Sequence, residues 1–356
     1  MKPTRSIALL LTVLVGAAAL QAETHRFAPR AFVTTFSGAH APVLRIKSGD
    51  RVMTATANRH GGDAAPASMA AAPPPQTGPF FVEGAEPGDL LVVTIERLVP
   101  NQPVGYSTSS LSANAVPGAA IARRPDTNRY AWIIDSGRGV VRFDLEAAMP
   151  NVNWGSRFTM AAFEMPLRPA LGSIGVAPAG EQAVAATAAG PFGGNLSAAA
   201  VTVGARVMLP VLQPGALLFL GHGLARTGDG TVTGTGIETP LDVEFSVEVV
   251  KRKSWPHSSV VRGSTVVGEF PIGAPRVETS DYLMAVGSGT SLPQALQHAT
   301  MELHHWLDDD FGLNERSVSI LVGQALEYEI ANLAGPDVTV VAKMRRSYLP
   351  RAASAP

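Results

Sequence analysis

Leu241-Asp242-Val243-Glu244-Phe245-Ser246-Val247-Glu248-Val249 alternates apolar and polar side chains without a break. Successive residues of an extended chain point to opposite faces, so this period of two predicts a strand with one face in a core and the other wet or lining a cleft. The same reading extends outward to segments 90–98 (LLVVTIERL), 129–135 (RYAWIID), 140–145 (VVRFDL), 204–212 (GARVMLPVL) and 216–221 (ALLFLG). The 35 Gly and 28 Pro are spread along all 356 residues and cut the chain into such short apolar runs, so the expected fold class is mainly β.

Two stretches poor in large side chains, 61–79 and the Ala/Gly-rich 177–200, read as loops draped over the surface. One helix is predicted from Ser291 to Leu307, with Ser291 as N-cap and Pro293 in the first turn. Its apolar face would hold Leu292, Ala295, Leu296, Ala299, Leu303, Trp306 and Leu307. Beyond it SVSILVG and VTVVAKM read as strands around a second, shorter helical stretch, QALEYEIANLAG. The expected organisation is a leader (1–22), a β-rich body (23–250) and an α+β portion (251–356) that completes the same unit.

Composition excludes several function classes. With 28 Lys and Arg against 29 Asp and Glu, and basic residues only in short groups such as Arg123-Arg124, no face is basic enough to expect a nucleic-acid partner. Lys2 and Arg5 precede an apolar run from Ile7 to about Leu20, followed by small residues before Glu23. That is the pattern of a secretory leader, too short for a membrane span, so the mature chain is expected to be periplasmic or secreted with no span after cleavage. The absence of cysteine removes disulfide staples, lipidation and every thiol nucleophile.

No Gly-x-Ser-x-Gly elbow, His-Glu-x-x-His or P-loop is present; Gly172-Ser173-Ile174-Gly175 comes nearest to the elbow, with Leu171 in its first glycine position. What remains are polar residues on glycine-flanked segments: His60 and Asp63, Asn195, then His222 and Asp229 within GHGLARTGDGT (221–231), and Glu238 beyond it. Imidazole and carboxylate are the ligands zinc prefers, and a site with an open position makes a water nucleophilic near neutral pH. The same residues also suit ordinary turns, in which Asp bonds its own backbone and Gly takes positive φ. Glu302 and His305, three apart on the polar side of the helix, read with His298 and His304 as a solvated face.

The ordered set PPQTGPFFVEGAEPGDLLVVTI, GYSTSSL, GSIGVAP, PFGGNL, GARVMLPVLQPGALLFLG, GDG, TGIETPLDVEF, VETSDYLMAVG and LEYEIANL resembles the acetamidase/formamidase family of amide hydrolases over roughly residues 26 to 345. The resemblance implies a jelly-roll-like β-sandwich body with a C-terminal α+β portion, homo-oligomeric assembly, and hydrolysis of a short linear amide to carboxylate and ammonia. It also implies a divalent metal, with zinc the expected ion. Where relatives commonly read Gly-Asp-Gly-His-Ala-x-Gln-Gly-Asp-Gly-Glu, this chain has His222 for an aspartate, Leu224 for the histidine, Thr227 for a glutamine and Thr231 for a glutamate. Ser197 and Asn58 stand where further aspartates are expected. Leucine ligates nothing, so the expected metal set is a rebuilt one of His222, Asp229, His60 and Asp63. Glu238 or Asp63 would then move protons, and Asn195 would donate to the oxyanion. The alternative is a non-catalytic relative that keeps the scaffold as a binding protein.

Overall fold

The computed structural model describes residues 22–57, 73–122, 129–145, 162–251 and 273–350. The predicted leader therefore lies almost wholly outside the described residues, as do Asn58, His60 and Asp63. Strands dominate, as expected. The alternating segment is the strand Leu241–Val250, set between Leu90–Pro100 and Arg51–Ala55 in antiparallel register. Leu241, Val243, Phe245 and Val247 are at most 2% exposed, whereas Glu248, on the other face, is open to solvent. Each such apolar side chain contributes about 1.5–3 kcal/mol on burial.

This strand belongs to a nine-stranded sheet, in the order Thr24–Arg26, Arg51–Ala55, Leu241–Val250, Leu90–Pro100, Arg206–Pro210, Arg276–Glu278, Tyr282–Gly289, Val338–Arg345 and Glu327–Asn332. The sheet runs unbroken across residue 250, so the α+β portion extends the body's own sheet. A second sheet carries Gln76–Val82, Val104–Thr108, Arg129–Asp135, Val140–Asp144, Ala170–Gly175, Leu218–Arg226 and Ile237–Glu238 among its strands. Phe36, Phe80, Phe219 and Phe245 join the two sheets in one core, Phe80 meeting Phe245 edge-on at 5.5 Å. These pairings establish the mainly β class without establishing a jelly-roll winding.

Three expectations are corrected. The 177–200 stretch is not draped outside: Ala177, Ala186, Leu196 and Ala198 are fully buried, because small side chains let the backbone itself enter the core. The end of the 61–79 stretch is likewise interior, where Gln76–Val82 forms a strand. Third, the elements after the long helix are exchanged. Glu315–Ala325 is a helix, capped by Asn314 accepting from Ser317 N, and Glu327–Asn332 is a strand paired with Val338–Arg345. Val318, Leu321, Val322 and Ala325 recur at helical spacing and pack on the C-terminal core, which outweighs the β-branched content of SVSILVG.

The long helix, Leu292–Phe311, is capped by Ser291 as predicted, but its inner face differs. Leu292 and Leu296 are more than a third exposed, and Glu302 is only 4% exposed. Glu302 is therefore no part of a solvated face, although His305 is exposed. Its Oε1 accepts from Arg276 Nε at 2.6 Å and its Oε2 from Gly273 N at 3.0 Å, while the Arg276 guanidinium lies 5.1 Å from the Trp306 ring centre.

The first strand is held by one buried carboxylate. Asp50 accepts from Glu23 N (2.9 Å), Lys47 N (2.8 Å) and His25 Nε2 (2.9 Å). Burial pushes its carboxyl up, but the Glu23 and Lys47 amides and His25 together pull it further down, leaving it below the ordinary 3.8. A carboxyl lowered by folding stabilises above its unfolded value and loses that contribution as pH falls through the folded one. Asp50→Asn should therefore cost about 1–3 kcal/mol in urea unfolding at pH 7, with the gap to wild type closing below pH 3.8. A gap that persists unchanged at pH 3 would show that the charge is not what holds the strand.

Candidate active site

The segment read as a loop, GHGLARTGDGT, is mostly strand: Leu218–Arg226 runs through it. Gly223 serves close approach rather than a turn, since a Cβ there would stand 2.5 Å from Thr239 O and 2.8 Å from Thr56 Oγ1. His222 alone takes a left-handed conformation, φ 53°, within this strand. Such backbone costs on the order of 1–3 kcal/mol for a residue with a side chain and persists only where its surroundings enforce it. Gly172 faces it across the sheet, and a Cβ there would meet His222 Nδ1 at 2.8 Å, so the missing side chain makes room for the ring. Ser197, also left-handed at φ 50°, donates its N–H to Gly172 O at 2.8 Å.

Three residues singled out from sequence meet here. His222 is 7% exposed, with Nε2 2.7 Å from Glu238 Oε1 and Nδ1 3.1 Å from Asn195 Oδ1. Glu238 comes from the short strand Ile237–Glu238 and is 5% exposed. Asn195 follows Gly193 and Gly194, both at positive φ, and its Nδ2 faces Thr187 O at 3.4 Å. With Asn195 oriented in this way, the imidazole faces an oxygen at each nitrogen. The contact to Glu238 is one in which the ring donates, since an ionised carboxylate only accepts. Asn195 thus braces the ring, with one amide N–H directed at Thr187 O.

That arrangement bears directly on a metal. A divalent ion needs a ligand nitrogen aimed at it, and both ring nitrogens of His222 are already taken up by protein oxygens. Asp229 is exposed in the Asp229–Thr231 turn, three residues beyond the strand end, and four further residues of strand, about 13 Å, separate Arg226 from His222. Leu224 is buried, and Thr231 Oγ1 donates to Ala331 O at 2.9 Å. Among the described residues no three His, Asp or Glu side chains gather as a ligand set. The expected zinc site thus does not fit the described residues, and His60 and Asp63 lie outside them.

Across the neighbouring strands Glu238 is the register partner of Leu224 on one side and of Tyr106 on the other. Directly opposed residues share a face, so these side chains form one row. Arg129, which sequence reasoning did not nominate, extends it: its guanidinium lies 4.3 Å from the Tyr106 ring centre and in the field of Glu238. Only the cross-strand register, invisible in RYAWIID, brings it there. A surface groove of about 460 Å³ runs along residues 100–103 and 133–136 and includes none of His222, Asn195 or Glu238.

No family-wide sequence model matches the chain. A Schizosaccharomyces pombe protein named "Putative formamidase" is 28% identical over 214 residues, 49% of this chain and 51% of its own length. The match thus spans about half of that relative. The solved acetamidase of Yersinia enterocolitica superposes with a TM-score of 0.76 at 25% identity, covering 94% of this chain and 95% of its own. An acetamidase/formamidase assigned by prediction in Thermoanaerobacter tengcongensis gives 0.73 at 22% identity, covering 92% and 97%, a likeness of fold.

Proposed function

We propose that the chain is a divergent member of the acetamidase/formamidase family and an amide hydrolase built around the His222–Glu238 pair, a reading supported by its likeness to a putative formamidase and to a solved acetamidase. The observation that carries this reading is the buried 2.7 Å contact between those two side chains, held on strained backbone over Gly172. Glu238 takes a proton from water, and the resulting hydroxide attacks the amide carbon. The C–N bond then breaks, and the proton returns to the departing nitrogen, giving carboxylate and ammonia. His222 keeps the Glu238 carboxylate in one direction, and Asn195 keeps the ring from turning. The leader pattern supports work in the periplasm or outside the cell, and the resemblance supports a homo-oligomer. Among the described residues no helix is long and apolar enough to cross a membrane.

Ammonia release from formamide, acetamide, butyramide and a small lactam by the purified chain, with zinc added and with chelator, tests this directly. Turnover that survives the chelator is expected. Turnover only with bound zinc would overturn the metal-free mechanism and return His60 and Asp63 to the ligand set. No turnover in either condition would leave the chain as a binding protein on the same scaffold.

A further inference from the structure

Arg129 holds a charge and a hydrogen bond donor that the mechanism above leaves unused. Its Nη1 is shut off from solvent and has no acceptor among the described residues. Burial lowers its pKa against the opposing influence of the Tyr106 hydroxyl and the Glu238 carboxylate, yet a guanidinium stays protonated in proteins. The Glu238 carboxylate, in whose field Arg129 lies, has its Oε1 2.7 Å from His222 Nε2. A buried guanidinium N–H with no acceptor among the described residues, beside a reaction centre, leaves a place for an anion, and the planar fork of the group matches a carboxylate.

We propose that Arg129 is the carboxylate-binding end of the site, so that the substrates are short amides that also bear a carboxylate, such as the half-amide of a four-carbon dicarboxylic acid. The Tyr106 ring, under the guanidinium and half-buried, supplies apolar surface for the carbons between the two ends. This deepens the amide hydrolase reading and rests on it. With succinamate, water adds at the amide carbon, the C–N bond breaks, and the products are succinate and ammonia.

The test compares succinamate with butyramide, an uncharged amide of the same chain length, and measures succinate binding by calorimetry. Wild type should favour succinamate by about tenfold or more in kcat/KM, and Arg129→Gln should reduce both that ratio and succinate affinity by about tenfold. Arg129→Lys, which keeps the charge, should recover part of both and covers the case in which the glutamine variant fails to fold. An equal loss of kcat on both amides would make Arg129 an oxyanion donor and overturn the proposal, as would a ratio that Arg129→Gln leaves unchanged. The two readings can fail separately. Arg129-dependent succinate binding without turnover of either amide keeps the anion site and sinks the hydrolase, whereas butyramide turnover with no preference and no succinate binding does the reverse.

Discussion

Glu302→Leu should destabilise the protein by about 3–5 kcal/mol, read as a lower denaturant midpoint at an unchanged slope. Arg276 is 1% exposed and its Nε donates to Glu302 at 2.6 Å, so the substitution leaves a guanidinium in the interior without its counter-charge. It also removes the acceptor of Gly273 N. Arg276 Nη2 already has no partner among the described residues, so no spare contact is at hand to compensate. The paired variant Arg276→Met/Glu302→Leu should recover most of the loss, because replacing both members of a buried ion pair with apolar groups of similar volume is often neutral. Trp306, beside the guanidinium, would pack against the methionine. If the two single losses simply add in the double variant, the residues are not energetically coupled and the account is wrong.

This pair also marks where sequence stops being informative. The period of two in Leu241–Val250 was readable because burial on one face leaves a local signature, and the strand is buried as that signature requires. Glu302 left none: its partner sits on a strand before the helix, 26 residues away, and only the packing of the helix on the sheet turns a polar position inward. The exchange of helix and strand over 315–332 has another cause. Val and Ile in SVSILVG favour a strand locally, while the spacing of Val318, Leu321, Val322 and Ala325, which the tertiary core rewards, is helical. At the candidate site, residue type and glycine context pointed to His222, Asn195 and Glu238, and the fold joins all three. Asp229 had the same credentials, yet its turn is tied elsewhere, with Gly230 O accepting from Leu333 N at 2.8 Å. Chemistry-bearing residue types are legible in one dimension, but which of them converge depends on register and on the direction each strand leaves a turn.

Glu238→Gln should lower kcat by about 10²–10⁴-fold, the range expected when a positioned general base is removed, with a much smaller change in KM. The difficulty is that Glu238 is also structural. Its carboxylate and the His222 ring are each about 5% exposed in their side chains, so the single variant loses stability as well as a base. The double variant His222→Gln/Glu238→Gln separates the two effects. Two neutral amides can hydrogen-bond across the same gap, so the melting temperature should move back toward wild type, because no buried charge is left unpaired. Activity should not return with it, since neither amide can accept a proton from water. A site that only braced the sheet would behave in the opposite way, with ammonia release following stability through both variants. Recovery of turnover to within tenfold of wild type in the refolded double variant would therefore remove Glu238 from the reaction and leave the pair as a clamp on the strained strand at His222.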